Sequence, residues 1–263
     1  MLGVVMSIGQ VLMTAQEYQM IKERDEAVPH GVTVCVPYFN EPQDMLERAV
    51  QSMLDQTVKP REIILVDDGS EQPHIPEIVA GHDETISSVR VTNRGLPAAR
   101  NTALMRARGE FFVPLDSDDW VEPTYLEHTL ACIGDAQVCI VGLSERGEAP
   151  RNREYMPGFD QDPNDVTEKV LWNYNRFFYC ALFRTQLLKD IGGYHPAMAG
   201  WPGVNGGYED WDVWIDLRRR GVKIAACREI LLNYTTKPES MLLKAERNRA
   251  QLVDEMRRHH GCR

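Results

Sequence analysis

The chain has 263 residues, of which 43% are hydrophobic and 26% charged, the balance of a soluble globular protein with one large core or two small ones. Lys and Arg number 29 against 39 Asp and Glu, a formal net charge of −10. Disordered, collagen-like and disulfide-scaffold classes are excluded, and nucleic acid is an unfavourable partner for so acidic a chain.

The apolar stretch from Val4 to Met13 is interrupted by Ser7, Gly9 and Gln10. It has no basic leader and falls short of the ~20 apolar residues of a membrane-spanning helix. Neither a signal peptide nor a transmembrane segment is therefore expected. The six cysteines, Cys35, Cys132, Cys139, Cys180, Cys227 and Cys262, form no CxxC pair. They read as reduced thiols of a cytoplasmic protein. The tail His259-His260-Gly261-Cys262 carries side chains that can hold a metal, but a frayed terminus is the expectation there.

Residues 13–27 are mostly polar and predict a helix. A strand follows at Thr33–Val36, expected to stop at Pro37. Asn40, Pro42 and Gln43 match an N-cap and capping box, and Met45, Leu46, Ala49, Val50, Met53 and Leu54 recur at the spacing of one buried helical face. The apolar run Ile63–Val66 leads into Asp67-Asp68-Gly69-Ser70. Strand, helix, strand at this spacing is a βαβ unit, and the unalternating runs suit a parallel sheet covered on both faces. The pattern repeats with a strand at Val89–Val91, a helix from Pro97 closed by Gly109, and a strand Phe111–Leu115 that empties into Asp116-Ser117-Asp118-Asp119. A helix from about Pro123 and a strand at Val138–Val141 end the first half.

Residues 143–165 read as an excursion loop. A strand is predicted at Phe177–Phe183, a Gly-rich stretch at Gly192–Gly207, and a helix from Glu209 with Trp211, Trp214 and Ile215 inward. Two short strands at Val222–Ala226 and Ile230–Tyr234 and one closing helix from Ser240 to about Arg258 complete the reading. The expected organisation is an N-terminal helical extension (1–30), one α/β domain (31–242, with halves 31–142 and 143–242), and a C-terminal helix and tail (243–263).

Two acid clusters follow directly on buried strands. In open α/β sheets ligands bind beyond the carboxyl ends of the strands. Five carboxylates meeting there repel one another unless cations neutralise them, and an Asp-x-Asp pair suits Mg²⁺ or Mn²⁺ with phosphate oxygens. Asp67 and Asp119 have a second reading as caps of the following turns. The Gly192–Gly207 stretch, with Tyr194, His195, Trp201 and Tyr208, reads as a mobile lip that carries aromatic faces.

Val36-Pro37-Tyr38-Phe39-Asn40-Glu41, Leu65-Val66-Asp67-Asp68-Gly69-Ser70, Ala99-Arg100-Asn101, Leu115-Asp116-Ser117-Asp118-Asp119, Ile191-Gly192-Gly193-Tyr194 and Glu209-Asp210-Trp211-Asp212 stand in this order. Together they resemble the inverting family 2 glycosyltransferases of GT-A fold, over roughly residues 32–242. The resemblance implies a single GT-A domain with a Rossmann-like, mostly parallel sheet. It implies a transferase that moves a sugar from a nucleotide-sugar donor, UDP-linked, to an acceptor hydroxyl with the help of Mn²⁺ or Mg²⁺. Carried onto this chain, it puts Pro37, Tyr38, Glu41, Asp68, Arg100, Asp116 and Ser117 at the donor, Asp118 with Asp116 at the metal, and Asp210 with Glu209 at catalysis. Trp201, Tyr208 and Trp211 are the expected acceptor contacts. Lys237 is a departure, standing where the family often has a His, and is expected near the donor diphosphate. Two alternatives remain at this point: a degenerate sugar-binding module, and a sugar nucleotidylyltransferase. The latter would need a Gly-rich basic loop after the first strand.

Overall fold

Val32–Tyr38 (β3) and Glu62–Asp67 (β4) are buried along their whole length, so neither shows the alternation of a half-exposed strand. They pair in parallel, with Val34 opposite Ile63 and Tyr38 opposite Asp67. The connecting helix α1 (Gln43–Leu54) lays Leu46, Ala49, Val50 and Met53 against the sheet. The computed structural model describes residues 6–8, 11–13, 31–72, 85–147, 154–155, 161–199, 207–238 and 241–261.

The main sheet adds β5 (Ile86–Arg90), β6 (Phe111–Pro114), β7 (Trp120–Val121), β8 (Val138–Gly147), β9 (Glu154–Tyr155), β10 (Leu182–Arg184) and β11 (Ile224–Thr236). Its order is β5-β4-β3-β6-β10-β8-β11-β7, with β9 on β8. The first four strands are parallel. Antiparallel β10 is inserted between β6 and β8, and the longest pairing, β8 with β11, is parallel. Helices α1 and α3 (Tyr125–Ile133) cover one face, with a core that includes Leu46, Val50 and Leu126. The other face carries α2 (Leu96–Arg106), α6 (Glu209–Arg219) and α8 (Arg249–His259) around Leu104, Trp211, Trp214 and Leu252. The expected single α/β domain with a mostly parallel sheet is present. No helix among the described residues is long and apolar enough to cross a membrane.

Several local expectations are corrected. Val11–Met13 pairs with Met6–Ile8 as a two-stranded hairpin, so Met13 does not open a helix; residues 14–27 of that expected helix lie outside the described residues. β3 runs through Pro37 to Tyr38. Asn40 does not cap α1, whose N-cap is Pro42. Instead Asn40 adopts φ of 53°, donates its N–H to Ser70 Oγ at 2.9 Å and accepts from the Glu71 N–H at 2.9 Å. It thereby ties the turn after β3 to the turn after β4. Residues 143–147 continue β8 rather than opening a loop. Of the expected Phe177–Phe183 strand only Leu182 and Phe183 are strand, within β10 (Leu182–Arg184). The two expected final strands are one, β11, carried across register shifts near Ile230. The closing helix is two, α7 (Met241–Arg247) and α8, broken at Asn248.

Candidate active site

Parallel pairing brings the ends of β3, β4 and β6 to one edge of the sheet, and the two acid clusters with them. In the first cluster Asp67 accepts from the Ser70 N–H at 2.8 Å and closes its turn. Asp68 is buried and grips the start of α2, accepting from the N–H groups of Arg94 at 3.0 Å and Gly95 at 2.8 Å. Burial raises its pKa, partly offset by those two donors. Tyr38 and Pro37 are buried at the end of β3.

The second cluster divides its labour. Asp119 is fully buried and accepts from Tyr179 Oη and the Thr235 N–H, both at 2.6 Å, which makes it a structural anchor for β11. Asp116 and Asp118 stay partly open, with side chains 23% and 24% exposed. Ser117 Oγ donates to Glu41 Oε2 at 3.3 Å. Lys237 Nζ lies 2.7 Å from Glu41 Oε1 and 2.9 Å from Asp118 Oδ2. The residue that departs from the family pattern is thus an ammonium set on Glu41 and on the second Asp-x-Asp carboxylate, Asp118. Burial works against its charge, but Glu41 and Asp118 outweigh burial and raise its pKa.

Arg100 is wholly buried, not part of a surface ion pair. It donates to Asp116 Oδ1 at 2.6 Å and to Glu209 Oε1 at 2.7 Å, and its guanidinium stands over the rings of Tyr179 and Tyr194 at 5.0 and 5.3 Å. Burial opposes the charge, and Asp116 with Glu209 holds it. This one side chain joins the end of β6 to the start of α6. Its neighbour Asn101 clamps the Gly192-Gly193-Tyr194 turn, donating to the Tyr194 carbonyl at 2.7 Å and accepting from the Tyr194 N–H at 2.8 Å.

Glu209 is buried, and its second oxygen accepts from the Gly207 N–H at 2.6 Å. Asp210 instead lines the cleft and accepts from Asn175 Nδ2 at 2.9 Å. Burial first and Glu209 second raise its pKa to about 7. A carboxylate that titrates near neutrality is suited to accept a proton from a hydroxyl. The cleft has a volume of about 620 Å³, with Arg100, Asp116 and Asp210 in its wall and Tyr174, Phe178, Tyr208, Trp211 and Tyr234 around them.

Tyr208 and Trp211 are in that wall, but both are largely buried. Trp211 Nε1 donates to the Leu171 carbonyl at 2.6 Å, and Tyr208 hydrogen-bonds Glu246. Trp201 lies outside the described residues. Sequence reasoning missed Asn175, Glu145, Tyr174 and Phe178, all cleft residues. The aromatic density of 172–179 is the available signal, and only its end falls within the expected Phe177–Phe183 strand.

The donor set fits a hard divalent cation. Asp116 keeps a pKa raised to about 6, by burial and by Asp118, although Arg100 sits on it. Both carboxylates stay partly open beside their cation partners, and carboxylate oxygens are what Mg²⁺ and Mn²⁺ prefer.

The profile of "Glycosyl transferase family 2" matches residues 33–192, more than half of the chain. The chain is 39% identical over 107 residues to the putative glycosyltransferase EpsH of Bacillus subtilis (strain 168), covering 40% of this chain and 31% of that protein. It is 36% identical over 101 residues to the cholesterol galactosyltransferase of Borreliella burgdorferi, covering 37% of this chain and 28% of that protein. These matches thus take in only about a third of each relative. Among solved structures, S. aureus TarS 1-349 superposes with a TM-score of 0.61 at 22% identity, covering 78% of this chain and 60% of that one. The same TarS fragment in complex with UDP gives 0.61 at 21%, covering 86% and 65%. The fold is the GT-A fold, and the matched profile, with the sheet and acid clusters it spans, makes this chain a member of glycosyl transferase family 2.

Proposed function

We propose that the chain transfers a sugar from a UDP-sugar to an acceptor hydroxyl with inversion at the anomeric carbon. The observation that carries this reading is the Arg100 bridge, which sets the donor-side Asp116 and the acceptor-side Glu209-Asp210 pair on opposite ends of one buried guanidinium. Asp210 takes the hydroxyl proton as the acceptor oxygen bonds to the anomeric carbon and the bond to the diphosphate oxygen breaks. One base and one leaving group on opposite faces of the sugar make a single displacement, hence inversion. Asp116 and Asp118 would hold Mg²⁺ or Mn²⁺, which when bound supplies charge against the leaving diphosphate.

Lys237 adds a fixed positive charge at the same place. Asn175 orients Asp210 through its 2.9 Å hydrogen bond. Glu145 lines the cleft with a shielded Oε2 that has no partner, an acceptor for a hydroxyl of the incoming sugar. Asp68, whose oxygens keep lone pairs beyond the two N–H donors, accepts from the uracil N–H. The TarS complexes with UDP and with UDP-GlcNAc support a uridine donor on this fold. The buried free thiols Cys35, Cys139, Cys180 and Cys227 support a reducing, cytoplasmic setting.

Calorimetric titration of UDP and GDP with Mn²⁺ present tests the donor, and tighter GDP binding would sink the uridine assignment. A screen of UDP-, GDP- and dTDP-sugars for nucleotide release, followed by NMR of the anomeric proton in the product, tests the reaction. Retention of configuration would overturn the single displacement.

A further inference from the structure

We propose that His195, Asp212 and His259 form a binding site for a zinc-type divalent ion that fastens the C-terminal helix α8 to the back of α6. His259 and His260, expected to fray, are instead docked, and Cys262 lies outside the described residues. His259 ends α8, and His260 is only 4% exposed in its side chain. Asp212 stands two residues after Asp210, about 200° around the helix, so it points away from the cleft. Its carboxylate is 3% exposed and meets His259 Nδ1 and His260 Nε2, each at 3.0 Å. The rings of His195 and His259 stack with centroids 3.8 Å apart and planes within 4°.

Three facts point to a cation rather than to hydrogen bonding alone. The ligand atoms of His195, Asp212 and His259 all lie within 4.8 Å of one another. The corners of a tetrahedron with ordinary Zn–N and Zn–O bonds stand roughly 3.3 Å apart, so binding requires the stacked His195 and His259 rings to swing apart and aim their nitrogens at one point. His195 Nδ1 is shielded from solvent and has no hydrogen-bond partner, a costly state for a polar atom that an ion would relieve. Two imidazoles and one carboxylate are also a common donor set for zinc, with the fourth position left to water. His260 on the other Asp212 oxygen would hold that carboxylate in orientation, as partners of metal ligands commonly do. The bound ion would tie together the turn at Pro196–Ala199, the helix that carries Asp210, and the end of the chain.

A second cluster, His128, Cys227 and Glu229, also brings its ligand atoms within 4.8 Å, and it supplies an internal control. The full chain, stripped with chelator, is titrated with Zn²⁺ against a chromophoric chelator in millimolar Mg²⁺ to occupy the Asp116–Asp118 pair. The same protein is titrated with Co²⁺ and followed by visible absorption. One equivalent of Zn²⁺ should bind, with a rise in Tm and a Co²⁺ spectrum free of sulfur charge-transfer bands. His195→Ala and the milder His259→Gln should each weaken Zn²⁺ binding about 10–100-fold, and Cys227→Ser should leave it unchanged. Circular dichroism of each variant separates a lost site from a lost fold. Absence of stoichiometric binding, unchanged affinity in folded His195→Ala, or loss of binding in Cys227→Ser would overturn the proposal.

Discussion

The two walls of the cleft are built by different physics. The wall proposed for the donor is made of strand ends, and nearly every carboxylate there is held by a backbone N–H or a side-chain cation: Asp67 by Ser70, Asp68 by Arg94 and Gly95, Asp116 by the buried Arg100, Asp118 by the half-buried Lys237. The acceptor wall is aromatic and assembled from distant segments, with Tyr174 63% exposed and Trp211 fixed through the Leu171 carbonyl. A charged wall fixed by short hydrogen bonds suits a constant group such as a nucleoside diphosphate. A wall of rings drawn from a loop, a helix and a strand suits the faces of an acceptor sugar. Arg100 is a buried side chain that bonds to both walls.

The sharpest way to break this arrangement is at that shared residue. Arg100→Met leaves Asp116 and Glu209 facing each other without their cation. Removing one partner of a buried ion pair costs about 3–5 kcal/mol, so the denaturation midpoint should fall steeply and transfer should cease. A midpoint within error of the parent protein would show that the bridge is dispensable.

Asp210→Asn separates the walls functionally. The amide is nearly isosteric and still bonds Asn175, so UDP affinity should stay while turnover at saturating acceptor falls about 10²–10⁴-fold. Parental turnover would move the base elsewhere.

Lys237→Ala sharpens the account of the donor wall. A charge-assisted contact of this kind is worth about 1.5–3 kcal/mol, roughly 10- to 150-fold in UDP affinity. Lys237→His should recover part of the loss only when Mn²⁺ is present. Equal UDP binding by Lys237→Ala and parent at matched metal concentration would remove Lys237 from the donor site.

The smallest effect is on stability against pH. Asp116 and Asp210 have folded-state pKa values raised to about 6 and about 7, above the ~3.9 of an unfolded aspartate. The stability they contribute is complete below that unfolded value and is lost as pH rises through the folded values. Cation-free protein should therefore lose a few degrees of Tm between about pH 5 and pH 8. Mg²⁺ should restore part of it at the upper end only, and Asp210→Asn should flatten the slope. A Tm that rises over this interval would contradict the assignment of raised pKa values to these carboxylates.

The donor wall was the more legible in the sequence because its parts are local. A buried strand followed at once by acids places those acids at a sheet edge, whatever the rest of the chain does. The same reasoning failed at Asn40, where a capping pattern was overridden by two hydrogen bonds to the turn after β4. It failed again at 177–181, the first part of the expected Phe177–Phe183 strand, whose residues serve as cleft wall and core instead.

From the sequence alone came the α/β class, the order of the motifs and the two acid clusters. These depend on periodicity and on residues adjacent in the chain. Only the tertiary structure decided which acids are spoken for. Asp119 and Glu209 carry the same charge as Asp118 and Asp210, yet the first two are consumed by Tyr179, Thr235, Arg100 and Gly207. Partners 60, 116 and 109 residues away leave no trace in local spacing. Burial, which sets what each carboxyl can do, is a property of the packed molecule.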